Sequence, residues 1–159
     1  MKKVVGDNEI SKIKSKNIVL VGGCFDIIHP GHLKFLELSK QQGKTLVVLL
    51  ESDERIRELK GNDRPVNSQT RRAKNLANLR FVDYVVLLNS STSSEYYYNL
   101  VKLLEPDIIA VTAEDPLLSV KKAQAKMVSG KVVEVMKRDI RHSSTELIKT
   151  KKTINERNT

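Results

Sequence analysis

The sequence predicts an α/β protein with a Rossmann-like, doubly wound sheet of about five parallel strands and helices on both faces. Two patterns carry this prediction. Five apolar segments of strand length are rich in Val, Ile and Leu and barely alternate with polar residues, as expected of strands buried on both faces. Segments with helical periodicity separate these strands, so strand and helix alternate about five times along the chain.

The individual elements can be placed by their composition and by their flanking residues. The predicted strands are 17–24, 45–51, 82–88, 107–112 and 131–136. The predicted helices are 32–43, 68–79, 93–104, 116–130 and 143–152, with serines at three of the starts and glycines at two of the ends. The polar segment 59–67 is punctuated by glycine and proline, which predicts a loop.

Length and composition predict how the chain is organised. With 159 residues it is long enough for one domain. We expect an N-terminal extension over 1–16, the domain over 17–148 and a basic C-terminal tail over 149–159. No apolar run approaches a membrane span, no signal peptide is expected, and the single cysteine excludes an internal disulfide. These features predict a cytoplasmic protein that does not act in a membrane.

The net charge of +9 raises the question of an anionic partner. Aromatic residues make up only 4% of the chain, and no basic stripe is interleaved with them as in single-strand nucleic-acid binders. The composition therefore favours small molecules that carry phosphate over nucleic acid.

The segment GGCFDIIHPGHLKFL, residues 22–36, contains two of the three histidines and the only cysteine. It covers the end of the first strand and the start of the first helix. Helix N-termini attract anions, and glycines allow close backbone approach. Two imidazoles three residues apart could donate hydrogen bonds to one phosphate, so spacing favours an anion site.

Spacing alone leaves other interpretations of this segment open. Zinc would need more ligands than Cys24, His29 and His32 supply locally. A cysteine nucleophile would need a distant base, for which His142 is the candidate. The two histidines could also be surface residues at a helix start without a function.

Three segments resemble a known family. GCFDIIHPGH, residues 23–32, resembles the G-x-F-D-x-x-H-x-G-H signature of the cytidylyltransferase-like nucleotidyltransferases. LKGNDRPVNSQTRRAKNLANLRFVDYVVLLN, residues 59–89, is similar to bacterial heptose 1-phosphate adenylyltransferases (ADP-heptose synthases). SSTELI, residues 143–148, resembles the S-T-T-x-I ending of that family and of glycerol-3-phosphate cytidylyltransferases. The resemblance covers about residues 17–148.

The resemblance implies roles for side chains that bear positive charge or can acquire it. His29 and His32 would hold the α-phosphate of a nucleoside triphosphate while an acceptor phosphate displaces pyrophosphate in line. Lys60 and Arg64 would contact the triphosphate or the acceptor. Arg72 matches the arginine of a family helix and would bind phosphate.

The resemblance also implies roles for the backbone and for acidic residues. Backbone N–H groups of Gly23, Cys24 and Phe25 would cradle phosphate, and Asp26 would shape the loop or the acceptor side. Asp115 would contact the nucleotide.

A helix start near the C-terminus completes the implied nucleotide site. Ser143, Ser144 and Thr145 would meet the phosphate or ribose there, or simply cap the helix.

One segment departs from the family pattern. Heptose enzymes typically carry K-G-G-D-Y after the fourth strand, whereas residues 112–116 read TAEDP. A lysine and two glycines are absent where nucleotide and sugar phosphate approach, and Glu114 adds a negative charge. This departure bears on which acceptor, and which base, the protein uses.

The sequence thus predicts a cytoplasmic nucleotidyltransferase of carbohydrate metabolism, such as lipopolysaccharide biosynthesis. The expected substrates are ATP or CTP and a phosphorylated acceptor, with ATP and a sugar 1-phosphate favoured. Mg²⁺ is expected to be bound through the triphosphate and not by a protein metal site, and a homodimer is possible. The alternatives are an enzyme like glycerol-3-phosphate cytidylyltransferase or FAD synthetase, a non-catalytic nucleotide-binding module and, with less support, a nucleic-acid-binding protein.

Overall fold

The computed structural model describes residues 3–137 and Ile148. Within these residues, six parallel strands form one sheet in the order β1-β4-β3-β2-β5-β6. The strands are β1 (Val4–Gly6), β2 (Ile18–Gly23), β3 (Thr45–Leu50), β4 (Tyr84–Leu87), β5 (Ile108–Thr112) and β6 (Lys131–Met136). The helices are α1 (Pro30–Lys40), α2 (Asp53–Lys60), α3 (Gln69–Ala77), α4 (Ser94–Leu104) and α5 (Leu118–Met127). The predicted Rossmann-like α/β class is confirmed.

Two apolar clusters lie on opposite faces of the sheet. They explain why the strand sequences are almost continuously apolar. All six residues of β3 are buried. Leu46 and Val48 pack into one cluster, whereas Val47 and Leu49 pack into the other. Successive side chains of a strand point to opposite faces, so a strand covered on both faces has no position for polar residues.

The segment 1–16 contributes a strand and a short helix to this fold. β1 pairs with β4 at the edge of the sheet, and a 3-10 helix follows over Asp7–Lys12. The Ile10 side chain of that helix is only 1% exposed. The segment that the sequence set apart as an extension therefore supplies the sixth strand, which lies beyond the five predicted ones.

A second element that the sequence did not predict is α2. Its sequence DERIRELK is almost entirely charged, and Ile56 is its only buried residue. The Ser52 hydroxyl accepts a hydrogen bond from the N–H of Arg55 at 3.1 Å and caps the helix. Residues 59 and 60 of the predicted loop are the last two residues of α2.

The remaining helices follow their predicted starts closely. Ser68 and Ser93 cap α3 and α4 by accepting hydrogen bonds from backbone N–H groups. The helix α5 is shorter than the predicted 116–130. The predicted last helix, 143–152, lies outside the described residues except for Ile148, which is helical. Among the described helices, none has the length and apolarity to cross a membrane.

Chain order fixes the point at which the winding of the sheet reverses. From β2 the chain proceeds to β3 and then β4 on one side, and it then crosses to β5 and β6 on the other side. Ligands of doubly wound sheets bind beyond the carboxyl ends of the strands at this switch point. The crevice next to the ends of β2 and β5 is therefore the expected site.

Candidate active site at the carboxyl edge of the sheet

The loop joining β2 to α1, residues 24–29, is wound tightly against the end of the strand. A Cβ on Gly23 would lie 2.9 Å from the Phe25 ring, so a side chain at position 23 would displace that ring. Phe25 itself has φ of 44°, a left-handed conformation that is strained for an aromatic residue, and its ring is buried. Strain of this kind concentrates at ligand sites, where the surrounding structure holds it in place.

The two histidines of this loop meet at the N-terminus of α1. His29 is the N-cap residue, and its Nδ1 accepts a hydrogen bond from the backbone N–H of His32 at 3.3 Å. The two imidazole rings stack with centroids 3.7 Å apart and an interplanar angle of 23°. The structure therefore places two imidazoles together at the positive end of a helix, where an anion is stabilised.

The environment keeps His32 neutral near pH 7. Burial lowers the pKa of His32 to about 4, and the positive charges of His29 and Lys60 add to the decrease. The Phe25 ring lies against His32 with centroids 5.2 Å apart. An anion beside the stacked imidazoles would oppose these effects and favour protonation, so the pair is suited to a ligand that gains negative charge.

Lys60 is the last residue of α2, and its side chain is exposed. Its charge lowers the pKa of both His32 and Cys24, so its ammonium group acts on the β2–α1 loop. The charge of Lys60 therefore acts where the resemblance implies a phosphate, and contact between Lys60 and that phosphate stays a prediction.

Asp26 and Arg64 form a buried ion pair that ties the loop between α2 and α3, residues 61–68, to the β2–α1 loop. The Nε of Arg64 lies 3.0 Å from the Asp26 carboxylate, and the two side chains are 4% and 0% exposed. The N–H groups of Val66 and Asn67 donate to the same carboxylate at 2.9 Å. Burial acts to raise the pKa of Asp26, but these donors outweigh it and hold the pKa below its ordinary value.

This pair gives Asp26 and Arg64 a structural position that sequence spacing could not show. The Asp26 carboxylate binds groups of residues 64–67, and its expected role in shaping the loop or the acceptor side stays a prediction. Arg64 directs its guanidinium to Asp26 and is almost fully buried, which suits a positioning residue better than a direct phosphate ligand.

Arg72 occupies the interior rather than the face of the crevice. Its side chain is 0% exposed, and its guanidinium donates to the carbonyl oxygens of Asn67, Cys24 and Glu51 at 3.0, 2.8 and 2.9 Å. It also forms a 2.7 Å ion pair with Asp53. Carbonyl and carboxylate groups of the protein thus surround the guanidinium, and the phosphate contact that the resemblance implies for Arg72 stays a prediction. Arg72 joins the ends of β2 and β3 to α3.

Cys24 does not have the environment of a reactive thiol. Burial raises the pKa of its thiol, and although Lys60 opposes this increase, Glu51 adds to it. A thiol with a raised pKa is a poor nucleophile at neutral pH. Among the described residues, no group of three or more His, Cys, Asp or Glu side chains is placed to hold a metal ion.

The TAEDP segment forms a turn after β5. The Asp115 carboxylate accepts a hydrogen bond from the N–H of Leu117 at 2.8 Å and pairs with Lys121 at 2.7 Å. Asp115 thus organises the turn that leads into α5. Glu114, at the second of the positions where relatives carry glycine, has φ of 62°. Glu114 therefore adopts a left-handed conformation that favours glycine.

Ser143, Ser144 and Thr145 lie outside the described residues, and their expected contact with phosphate or ribose stays a prediction.

Three residues near the site were not assigned by sequence. Asn67 donates from its side chain to the Asp26 carbonyl oxygen at 2.7 Å. The hydroxyl of Tyr97 donates to the Glu51 carboxylate, 3.1 and 3.0 Å from its two oxygens. The run of tyrosines 96–98 and the position of Glu51 directly after a strand were the available signals, but neither specifies a partner.

Comparisons with known proteins identify the family to which the sequence is similar. Residues 20–156 match the sequence model of the cytidylyltransferase-like family. The Bifunctional protein HldE of Campylobacter fetus is 43% identical over 115 residues, and that of Campylobacter jejuni subsp. doylei is 47% identical over 103 residues. These matches cover 71% and 65% of this chain but only 24% and 22% of the relatives, so the chain spans about a quarter of their length.

Solved structures show the same fold. A lipopolysaccharide core biosynthesis protein from Thermoplasma volcanium superposes with a TM-score of 0.64 at 26% identity, covering 77% of this chain and 98% of that one. A pantoate-beta-alanine ligase from Francisella tularensis gives a TM-score of 0.65 at 13% identity, covering 94% of this chain and 76% of that one. The second likeness concerns the fold alone.

Proposed function

Because the chain belongs to the cytidylyltransferase-like family, we propose that it is a nucleotidyltransferase that transfers a nucleoside monophosphate from ATP or CTP to a phosphorylated acceptor. The similarity to HldE and the resemblance to ADP-heptose synthases favour ATP as the donor and a sugar 1-phosphate as the acceptor. The acceptor phosphate oxygen attacks the α-phosphorus, the bond to the β-phosphate breaks, and pyrophosphate leaves.

The stacked pair of His29 and His32 at the start of α1 is the observation that carries this proposal. The α-phosphate binds beside the imidazoles, where the dipole of α1 favours an anion. As negative charge accumulates in the transition state, the imidazoles donate hydrogen bonds and accept a share of protonation. No covalent intermediate is needed, because positioning and charge neutralisation supply the rate enhancement.

The surrounding residues bind the phosphates or position the loops. Lys60 contacts the triphosphate or the acceptor phosphate, and backbone N–H groups of residues 23–25 complete the phosphate cradle. Arg64 and Arg72 position the loops through their buried contacts. Ser143, Ser144 and Thr145 contribute from the last helix.

Mg²⁺ would be carried by the triphosphate. The Asp26 carboxylate is occupied by Arg64 and backbone donors, and the Asp115 carboxylate by Lys121 and Leu117. These residues do not offer a cage for the ion, so no step of the mechanism is assigned to protein-bound metal. Magnesium ions commonly retain water and phosphate ligands.

Two measurements identify the nucleotide and the acceptor that the protein prefers. Thermal unfolding with ATP or CTP identifies the preferred nucleotide, since a ligand at 100 times its dissociation constant stabilises the fold by about 2.7 kcal/mol. Pyrophosphate release is then measured with heptose 1-phosphate, glucose 1-phosphate, glycerol 3-phosphate and FMN, the last testing an FAD synthetase-like activity. We expect release with ATP and a sugar 1-phosphate. Preference for CTP with glycerol 3-phosphate would contradict the favoured pair.

A second candidate is a nucleotide-binding module without turnover. The observation in its favour is the TAEDP segment, where a family lysine is absent and Glu114 adds negative charge. Nucleotide binding without pyrophosphate release above that of His32→Ala, for every acceptor, would support this alternative.

The same family assignment leads us to propose a cytoplasmic protein that can form a homodimer. Light scattering during size-exclusion chromatography measures its mass, and a species of 18.0 kDa, the mass of one chain, at assay concentration would contradict the dimer.

A further inference from the structure

Glu51 and Tyr97 form a half-buried contact near the site that the proposed mechanism does not use. Glu51 directly follows β3, and its N–H donates to the carbonyl oxygen of Gly23 at 3.1 Å. Its side chain is half-buried, and both carboxylate oxygens lie within hydrogen-bond distance of the Tyr97 hydroxyl. The carboxylate is therefore held at the carboxyl edge of the sheet, on the β3 side of the β2–α1 loop.

The carboxylate acts on the same loop as Lys60. Its negative charge raises the pKa of the Cys24 thiol, whereas the charge of Lys60 lowers it. A polyphosphate would be repelled by a carboxylate at this place, so the triphosphate is expected at the histidines and not here. The β3 side of the crevice is left for the part of the acceptor that carries no phosphate.

We propose that Glu51, oriented by Tyr97, determines acceptor specificity by accepting hydrogen bonds from the hydroxyl groups of a phosphorylated sugar. The inference rests on the proposed function for the class of acceptor. It assigns Glu51 to substrate contact and Tyr97 to positioning.

The surroundings of Glu51 favour a neutral hydroxyl over an ammonium group. Burial raises the pKa of Glu51, while the Tyr97 hydrogen bond and the charges of Arg55 and Arg72 oppose that increase. Two guanidinium groups thus already supply positive charge to the carboxylate. A further cation would meet their repulsion, whereas hydroxyl groups can use the remaining lone pairs.

The direct test is binding of acceptor analogues in the presence of a non-hydrolysable ATP analogue. Isothermal titration with glucose 1-phosphate, mannose 1-phosphate, heptose 1-phosphate and glucosamine 1-phosphate is carried out on the wild type, Glu51→Gln and Glu54→Gln. Glu54 is an exposed residue of α2, so its substitution removes the same charge away from the crevice. We expect Glu51→Gln to weaken sugar-phosphate binding roughly tenfold. Nucleotide affinity and the thermal midpoint should stay within error for both variants.

The two neighbouring tyrosines provide a matched pair for the positioning role. Tyr97→Phe removes the hydroxyl that orients Glu51, whereas Tyr96→Phe removes a hydroxyl that donates to Asp7. We expect Tyr97→Phe to raise the dissociation constant for the sugar phosphate several-fold. The double variant Tyr97→Phe/Glu51→Gln should have the same dissociation constant as Glu51→Gln alone. Tyr96→Phe should leave the dissociation constant at the wild-type value.

Several results would overturn the inference. These are equal binding by wild type and Glu51→Gln, tighter binding of glucosamine 1-phosphate than of glucose 1-phosphate, or no binding of any sugar phosphate while the nucleotide binds. If sugar phosphates bind through Glu51 but no pyrophosphate is ever released, the proposed catalytic function fails while the assignment of Glu51 stands.

Discussion

At the scale of the residue, His29 has two tasks that follow from one hydrogen bond. Its Nδ1 accepts from the His32 N–H and caps α1, so in the neutral ring the proton is on Nε2. The cap fixes the orientation of the ring against which His32 stacks. The same side chain therefore sets the geometry of the proposed phosphate site and the start of the helix.

The lowered pKa of His32 predicts a pH dependence of stability. The folded pKa is about 4 against an ordinary value of 6.5, so between these values the unfolded chain binds a proton that the folded chain does not. The free energy of unfolding should therefore fall as the pH falls from about 6.5 to about 4. Denaturant unfolding of wild type and His32→Gln across this range checks it, because the variant lacks this contribution. A difference between the two that is constant with pH would contradict the assignment.

The left-handed conformation of Glu114 predicts a stabilising substitution. Glycine adopts φ of 62° without the clash of a Cβ, so Glu114→Gly should raise the free energy of unfolding by about 0.5–1 kcal/mol. Thermal unfolding measures it, and Glu114→Ala is the control, because it removes the charge but keeps the Cβ. Equal midpoints for the two variants would show that charge, not backbone conformation, is responsible.

At the scale of the element, β1 and the 3-10 helix after it form part of the core, although their sequence did not predict regular structure. Three residues pair with β4 at the sheet edge, and Ile10 then packs into the cluster that contains Leu100 and Leu104 of α4. The hydroxyl of Tyr96 on α4 donates to Asp7 at 2.6 Å. The segment thus covers an edge of the sheet and packs against α4.

This packing makes the N-terminal segment part of the stability of the fold. Ile10→Ala should lower the free energy of unfolding by about 3 kcal/mol, because the side chain is 1% exposed and its removal leaves a cavity. Leu59→Ala, at a position that is 55% exposed, is the control and should change it by less than about 0.5 kcal/mol. Urea unfolding distinguishes them. Similar values for both would mean that the segment contributes little.

The sequence predicted the elements that bury many side chains, because burial requires a recognisable apolar pattern, and it missed those that bury few. The central strands are buried on both faces, so their apolar runs identify them. In contrast, β1 has only three residues, too few for a pattern, and α2 buries a single side chain, so its charged sequence carries almost no periodic signal. Its capping residue, Ser52, was the one cue present.

At the scale of the whole molecule, strand order brings the ends of β2, β3 and β5 to one edge, where the histidine pair lies. The position of this crevice could be predicted, because it depends on chain topology and on a local motif. The contacts of Arg72 with Cys24, Glu51 and Asp53 and the pair of Asp26 with Arg64 could not, since each joins residues 19 to 48 positions apart. An arginine that binds phosphate and one that binds carbonyl oxygens look the same in a sequence.

The net positive charge of the molecule is consistent with the binding of anionic substrates. The proposed function requires a site that binds two phosphorylated substrates, and Lys60 with the start of α1 would attract them locally. The buried arginines are held by carboxylate or carbonyl groups and act on structure. Overall charge steers anions toward the protein, whereas the local arrangement decides where they bind.

Single-turnover pyrophosphate release from ATP and heptose 1-phosphate, compared between wild type and His29→Asn, tests the central claim most directly. Asparagine can still accept the hydrogen bond that caps α1 but has no imidazole, so the fold should be kept. The account predicts a rate at least about 100-fold lower in the variant, with ATP affinity changed much less. A variant that releases pyrophosphate at the wild-type rate would contradict it.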